Sequence, residues 1–271
     1  MRRLRILIMR HSAFVIGELI SIIIALMVLL WRPSVPPIGT LRGTYCLFAL
    51  ASISLVSLVL IGVHIISYWY SHARQNFSLL LWGLGFLIYS SLFLGICLCA
   101  AGLSWANMED PETFFMFRQT MILFLVLNCA GVVIRITKNT WLRVGVSLSI
   151  GLSGYGIMIY GLLIRRSIEL AMYLFSYILL IPVSVFMSYT FYLFSKYSGF
   201  SSAKIISISW IYYAVTYAFW APLYPEPTRH LWFIAFSQFV LSIQLMLLGH
   251  MMLIPELKAE ALAEKIEIMY P

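Results

Sequence analysis

Long apolar runs, separated by short polar connectors, fill the chain from end to end. Eight of them are long enough to cross a bilayer, because about 20 residues at roughly 1.5 Å each match a hydrocarbon core of roughly 30 Å. They cover about 12–31, 44–70, 77–103, 113–136, 142–164, 170–195, 205–224 and 231–254. The connectors, such as Arg32–Gly43, Ser104–Glu112 and Pro225–His230, hold most of the proline, asparagine and charge, and none is long enough for a soluble domain. The pattern predicts an all-α, polytopic bundle of about eight transmembrane helices. It forms one domain over 1–254, followed by an acidic amphipathic tail over 255–271. No internal repeat points to an inverted-repeat transporter.

The last apolar run, Leu231 to Ile254, carries Gln238, Gln244 and His250. At about 100° per residue these three point about 120° apart, so no face is free of polar groups. A central helix enclosed by the others is expected. In the fifth span Gly145, Ser149 and Ser153 recur every four residues, and Ser147 and Gly151 form a second row. Rows of small residues let membrane helices approach closely. Pro182 is expected to kink the sixth span.

Composition fits the bilayer as solvent. The 271 residues are 62% hydrophobic and 10% charged, whereas soluble domains carry about 25% charged residues. The net charge of +8 comes without a basic run, which excludes a nucleic-acid partner and leaves orientation as its meaning. With the N-terminus cytoplasmic, 12 of the 18 Lys and Arg residues fall on the inner side, as the positive-inside rule requires. Both termini are then expected in the cytoplasm, and the localisation is a cell membrane crossed many times. The first run has a basic start but no small-residue cleavage site, so it reads as a retained span rather than a signal peptide. Cys46, Cys97, Cys99 and Cys129 all lie in apolar runs and read as packing residues.

Pro255 is expected to stop the last span and start a new helix. There Leu257, Ala261, Ile266 and Met269 form an apolar stripe, and Glu256, Glu260, Glu264 and Glu267 outnumber Lys258 and Lys265. An acidic helix suits a basic protein surface rather than an anionic leaflet. The expected partners are membrane lipids and other membrane subunits, met through the bundle surface and this tail.

Ionisable side chains inside a membrane are costly and mark candidate sites. Glu18, His64, Arg135 and His250 come from four different spans and fall in the same leaflet, with Asn128 and Gln244 deeper. Two chemistries fit this polar cluster. His64 and His250 at matched depth suit the axial ligands of a b-type haem. Glu18, His64 and His250 also suit a proton or ion relay with Arg135 as counter-charge. Against both stands the plain alternative that each is a hydrogen-bonded packing residue. No metal site and no catalytic residue can be assigned: there is no HExxH, no GxSxG and no phosphate-binding loop, and Asp110 is the only aspartate.

Trp210, Tyr213 and Tyr217 have a spacing that resembles the aromatic retinal pocket of microbial rhodopsins, a seven-helix family. Retinal attachment in that family requires a lysine midway along the last helix, where this chain has Ser242 and Gln244. A retinal pigment is therefore excluded, and the trio reads as interfacial belt and packing. The sequence points first to an integral subunit of a larger membrane complex, with electron transfer through a haem at His64 and His250 as one form. A small-solute transporter or channel is the alternative, and a sensor signalling through the C-terminal helix is a third reading.

Overall fold

The computed structural model describes the backbone of residues 41–72, 76–100, 111–220 and 229–269, and the side chains of 45–72, 76–100, 111–219 and 235–259. The expected first span, with Glu18, lies outside the described residues. The helices are α1 (Leu41–His72), α2 (Phe77–Ala100), α3 (Pro111–Ile136), α4 (Thr140–Ile164), α5 (Ile168–Ser198), α6 (Ser201–Trp220) and α7 (Arg229–Met269). No strand occurs among the described residues. Every helix but α6 is long and apolar enough to cross a membrane; α6 is less apolar because serine and tyrosine hydroxyls crowd it. This is the architecture of a multi-pass membrane protein.

Consecutive helices pack side by side, and α7 returns to α1, so the seven close into a ring. Seven alternating helices leave α1 and α7 parallel. One end of the bundle gathers Arg135, Lys138, Arg143, Lys196, Lys204 and Lys258 and is called the basic end below.

Local chemistry explains the tight turns. Asn139 caps α4, its Oδ1 accepting from the N–H groups of Trp141 at 3.0 Å and Leu142 at 3.3 Å. Arg143 reaches back and donates to the carbonyls of Thr137 at 2.7 Å and Ile134 at 3.0 Å, satisfying oxygens that the end of α3 leaves open. Gly199 closes α5 with φ 72°, the left-handed conformation glycine adopts without strain.

Helices approach closely where glycines meet. A Cβ on Gly62 of α1 would lie 2.7 Å from the Leu87 side chain and 2.9 Å from the Gly83 carbonyl oxygen of α2. In α4 the contacts fall at Gly154, against Ile122, and at Gly161, against the Ala171 backbone. The expected row Gly145, Ser149 and Ser153 instead faces outward, and nothing lies within 4 Å of a Cβ at Gly145.

Two prolines behave differently from one another. Pro182 follows a π-helical stretch, Phe175–Leu180, whose wider turns make room for a ring that clashes with the carbonyl four residues back. Pro255 does not end a helix: α7 runs through it as one 41-residue helix. The expected enclosure of this helix also fails in part. Gln238, Leu241 and Leu248 lie on an exposed stripe, with Gln238 satisfied by the Tyr212 hydroxyl.

Candidate functional site

Parallel α1 and α7 meet in rungs of polar side chains. Gln244 Nε2 donates to Ser57 Oγ at 2.7 Å. Two turns further toward the basic end, seven residues along α1 and six along α7, come His64 and His250. The two imidazoles therefore share a depth, and they interact electrostatically. Beyond them the Lys258 ammonium stands 5.7 Å from the ring centre of Tyr68.

His250 is almost wholly buried, 1% exposed. Its Nδ1 lies 2.6 Å from the Met246 carbonyl oxygen, so Nδ1 carries the hydrogen and Nε2 is left as the acceptor. Nε2 is buried with no hydrogen-bond partner among the described residues. The ring stands edge-on to Trp82, centres 5.5 Å apart, and to Phe86 at 5.0 Å. These neighbours leave His250 held as an aromatic-caged core residue, and the packing gives the haem reading no support. Among the described residues no group of three or more His, Cys, Asp or Glu is placed to hold a metal ion.

The other residues of the expected cluster scatter. Asn128 on α3 is fully buried; its Nδ2 donates to the Phe124 carbonyl at 2.9 Å and sits against Gly85. Arg135 is exposed at the end of α3 and lines a groove. Glu18 lies outside the described residues.

That groove has a volume of about 630 Å³ and lies between α2, α3, α5 and α7 at the basic end. Leu79, Trp82, Val132, Phe191 and Leu253 form its buried wall, while Tyr189 and Tyr197 stand at its exposed edge. Its position was not legible from any motif, because four helices contribute to it.

Toward the other end, α2, α3, α6 and α7 build an aromatic core. The Phe124 ring lies between Tyr89, at 4.4 Å, and Trp210, at 5.6 Å, both nearly parallel to it. Tyr89 and Tyr213 join hydroxyls at 2.7 Å, and the Tyr217 hydroxyl donates to Met121 Sδ at 3.6 Å. Trp210, Tyr213 and Tyr217 are therefore core, not interfacial belt. Arg118 enters the same region from α3, over the Phe114 ring at 4.9 Å, and donates to Met121 Sδ at 2.7 Å.

Replacing Tyr89 by Phe removes one partner of the Tyr213 hydroxyl, which keeps Tyr217 beside it, and is expected to cost about 1 kcal/mol. The double change Tyr89→Phe with Tyr213→Phe is expected to cost less than the sum of the two single changes. Unfolding of the full chain in mixed micelles measures both; strictly additive losses would show that the hydroxyl pair contributes nothing.

At the basic end Glu256, one residue past Pro255, grips the start of α6. Its carboxylate accepts from Ser201 Oγ at 2.9 Å, from the Ser202 N–H at 3.4 Å and from Ser202 Oγ. A carboxylate at a helix N-terminus satisfies open N–H groups and complements the helix dipole. Just before it, Gly249 lets Ile206 of α6 approach; a Cβ there would lie 2.5 Å from Ile206. The chain matches no protein-family model, no curated protein and no solved structure.

Proposed function

We propose that the chain is a membrane-embedded coupling module, in which the state of the bundle is passed to a partner through the extension of α7. The observation that carries this reading is the continuity of α7 across Pro255, from the bundle core to Met269. At about 1.5 Å per residue the helix is about 62 Å long, roughly twice the hydrocarbon thickness. Its bundle half holds His250 and Gln244, and Glu256 ties it to α6 where it leaves the core. A displacement at the histidine rung therefore reaches the extension without a hinge. With the basic end cytoplasmic, as the distribution of Lys and Arg has it, the extension meets its partner in the cytoplasm.

A second reading, a subunit of a larger membrane complex, is favoured by α4. Its outward row of Gly145, Ser149 and Ser153 offers a close-packing surface to another membrane helix. A solute path draws no such support, since aromatic side chains fill the described core.

Spin labels at Leu241 and Ala259, both exposed, test the coupling reading. Eighteen helical residues separate them, so a rigid rod gives one narrow distance near 27 Å, about 1.5 Å per residue. A second pair at Ile208 and Ala259 reports the clamp, and Glu256→Ala is expected to broaden that distribution while leaving the first one narrow. A broad Leu241–Ala259 distribution in the unaltered chain would sink the reading, because a jointed helix transmits no displacement.

A further inference from the structure

The groove at the basic end has the shape and charge of a site for one lipid. Along α5 its lining runs from Phe186 to Tyr197, eleven residues or about 16 Å at 1.5 Å per residue. That is close to half of a hydrocarbon core roughly 30 Å thick, the depth of one leaflet. The wall is apolar along this length, and among the described residues Arg135 is the only charged one in it. Arg135 stands in the last turn of α3, at the level where a headgroup lies when its chain runs along the groove. Thr190, Tyr189 and Tyr197 add hydroxyls at the exposed side.

From these features we infer that the groove binds an anionic phospholipid, with one acyl chain against Trp82, Phe191 and Leu253 and the phosphate at Arg135. A guanidinium pairs with phosphate oxygens in a two-pronged geometry. The positive charge of Arg135, at the end of the bundle that also carries Lys138, Arg143, Lys196, Lys204 and Lys258, favours a lipid of net negative charge over a zwitterionic one. The chain's own tail is not the occupant, because α7 continues as a helix past Leu257, itself part of the wall, and so runs on beyond the groove.

The occupant touches the transmitting helix at Leu253 and Leu257, and touches Trp82, whose ring stands on His250. Lipid in the groove thus bears on α7 directly. This consequence rests on the coupling reading above; the binding does not.

Native mass spectrometry of the full chain in detergent tests the site. Phosphatidylglycerol and phosphatidylcholine with identical chains serve as probes. One phosphatidylglycerol is expected to be retained, with an affinity about fivefold higher than that of phosphatidylcholine, the factor one basic residue at the membrane surface supplies. Arg135→Lys keeps most of that preference, Arg135→Gln brings the ratio to about one, and Thr190→Trp, which fills the groove, removes retention of both lipids. Arg135 is exposed, so its variants keep the proposal testable if Thr190→Trp fails to fold. An undiminished preference in Arg135→Gln overturns the site. So does retention that appears only after residues 1–40 are deleted, which would make that segment the occupant. The spin-label pair at Ile208 and Ala259 separates the two claims. Retained lipid with no change in that distance leaves the site standing and removes the link to α7.

Discussion

Replacing Gly62 by Leu is expected to abolish stable assembly of the bundle. At this crossing the α1 and α2 backbones are separated by hydrogen atoms alone: a Cβ on Gly62 meets Leu87 at 2.7 Å and the Gly83 carbonyl oxygen at 2.9 Å, and a Cβ on Gly83 meets the Gly62 carbonyl oxygen at 3.0 Å. A side chain can rotate away, but a carbonyl within a helix cannot. Leu at this position therefore forces the two helices apart along their length, and the Ser57–Gln244 and His64–His250 rungs on α1 move with it. Overpacking in a well-filled core costs about 1–3 kcal/mol and more where the backbone must yield. A loss of about 3 kcal/mol or more is expected here, read as unfolding at lower denaturant in micelles. Gly145→Leu, an equal change in size where nothing is within 4 Å, is expected to stay within about 0.5 kcal/mol of the unaltered chain. Equal losses at both positions would mean that the close approach at Gly62 is not what sets the cost, since Leu is the better helix former at either site.

Truncating Trp210 to Ala is expected to cost about 3–5 kcal/mol, the range for large aromatic deletions in a packed interior. Trp210 is fully buried on α6, stacks on Phe124 of α3 and stands edge-on to Tyr213. Its removal leaves a hole where α2, α3, α6 and α7 converge, and rings packed edge to face cannot collapse into it without losing their own contacts. Trp210→Phe is expected to be much milder, under about 2 kcal/mol, because it keeps a ring against Phe124. The indole nitrogen, moreover, is buried with no hydrogen-bond partner among the described residues. Thermal or denaturant unfolding of the two variants decides it; a cost below about 1 kcal/mol for the alanine would show that the aromatic stack is not what joins these helices.

The multi-pass helical class was readable from run length, since a bilayer sets how many apolar residues a helix needs; of the eight expected spans the first lies outside the described residues and the seventh, α6, is less apolar than a span requires. What the sequence left open was phase and partner. The small residues of α4 form several rows, and spacing cannot say which row meets a neighbour; contact falls at Gly154 and Gly161, and Gly145 is left outside. The Tyr89–Tyr213 pair joins residues 124 positions apart, a relation invisible until the ring of helices closes. Pro255 broke a local rule because the packing of Gly249 and the grip of Glu256 hold the helix on both sides of it. The groove needed four helices in place before it existed.

The rungs between α1 and α7 make sliding of these helices unequal in the two directions. If α7 withdraws from the basic end by three residues, about 4.5 Å at 1.5 Å per residue, Gln244 leaves Ser57 and comes level with Ser54, another hydroxyl on the same stripe. If it advances by a similar step it faces Leu60 and Ile61, and its amide has only hydrocarbon to meet. Sliding away from the basic end would thus meet a second hydroxyl, and sliding toward it an apolar stop.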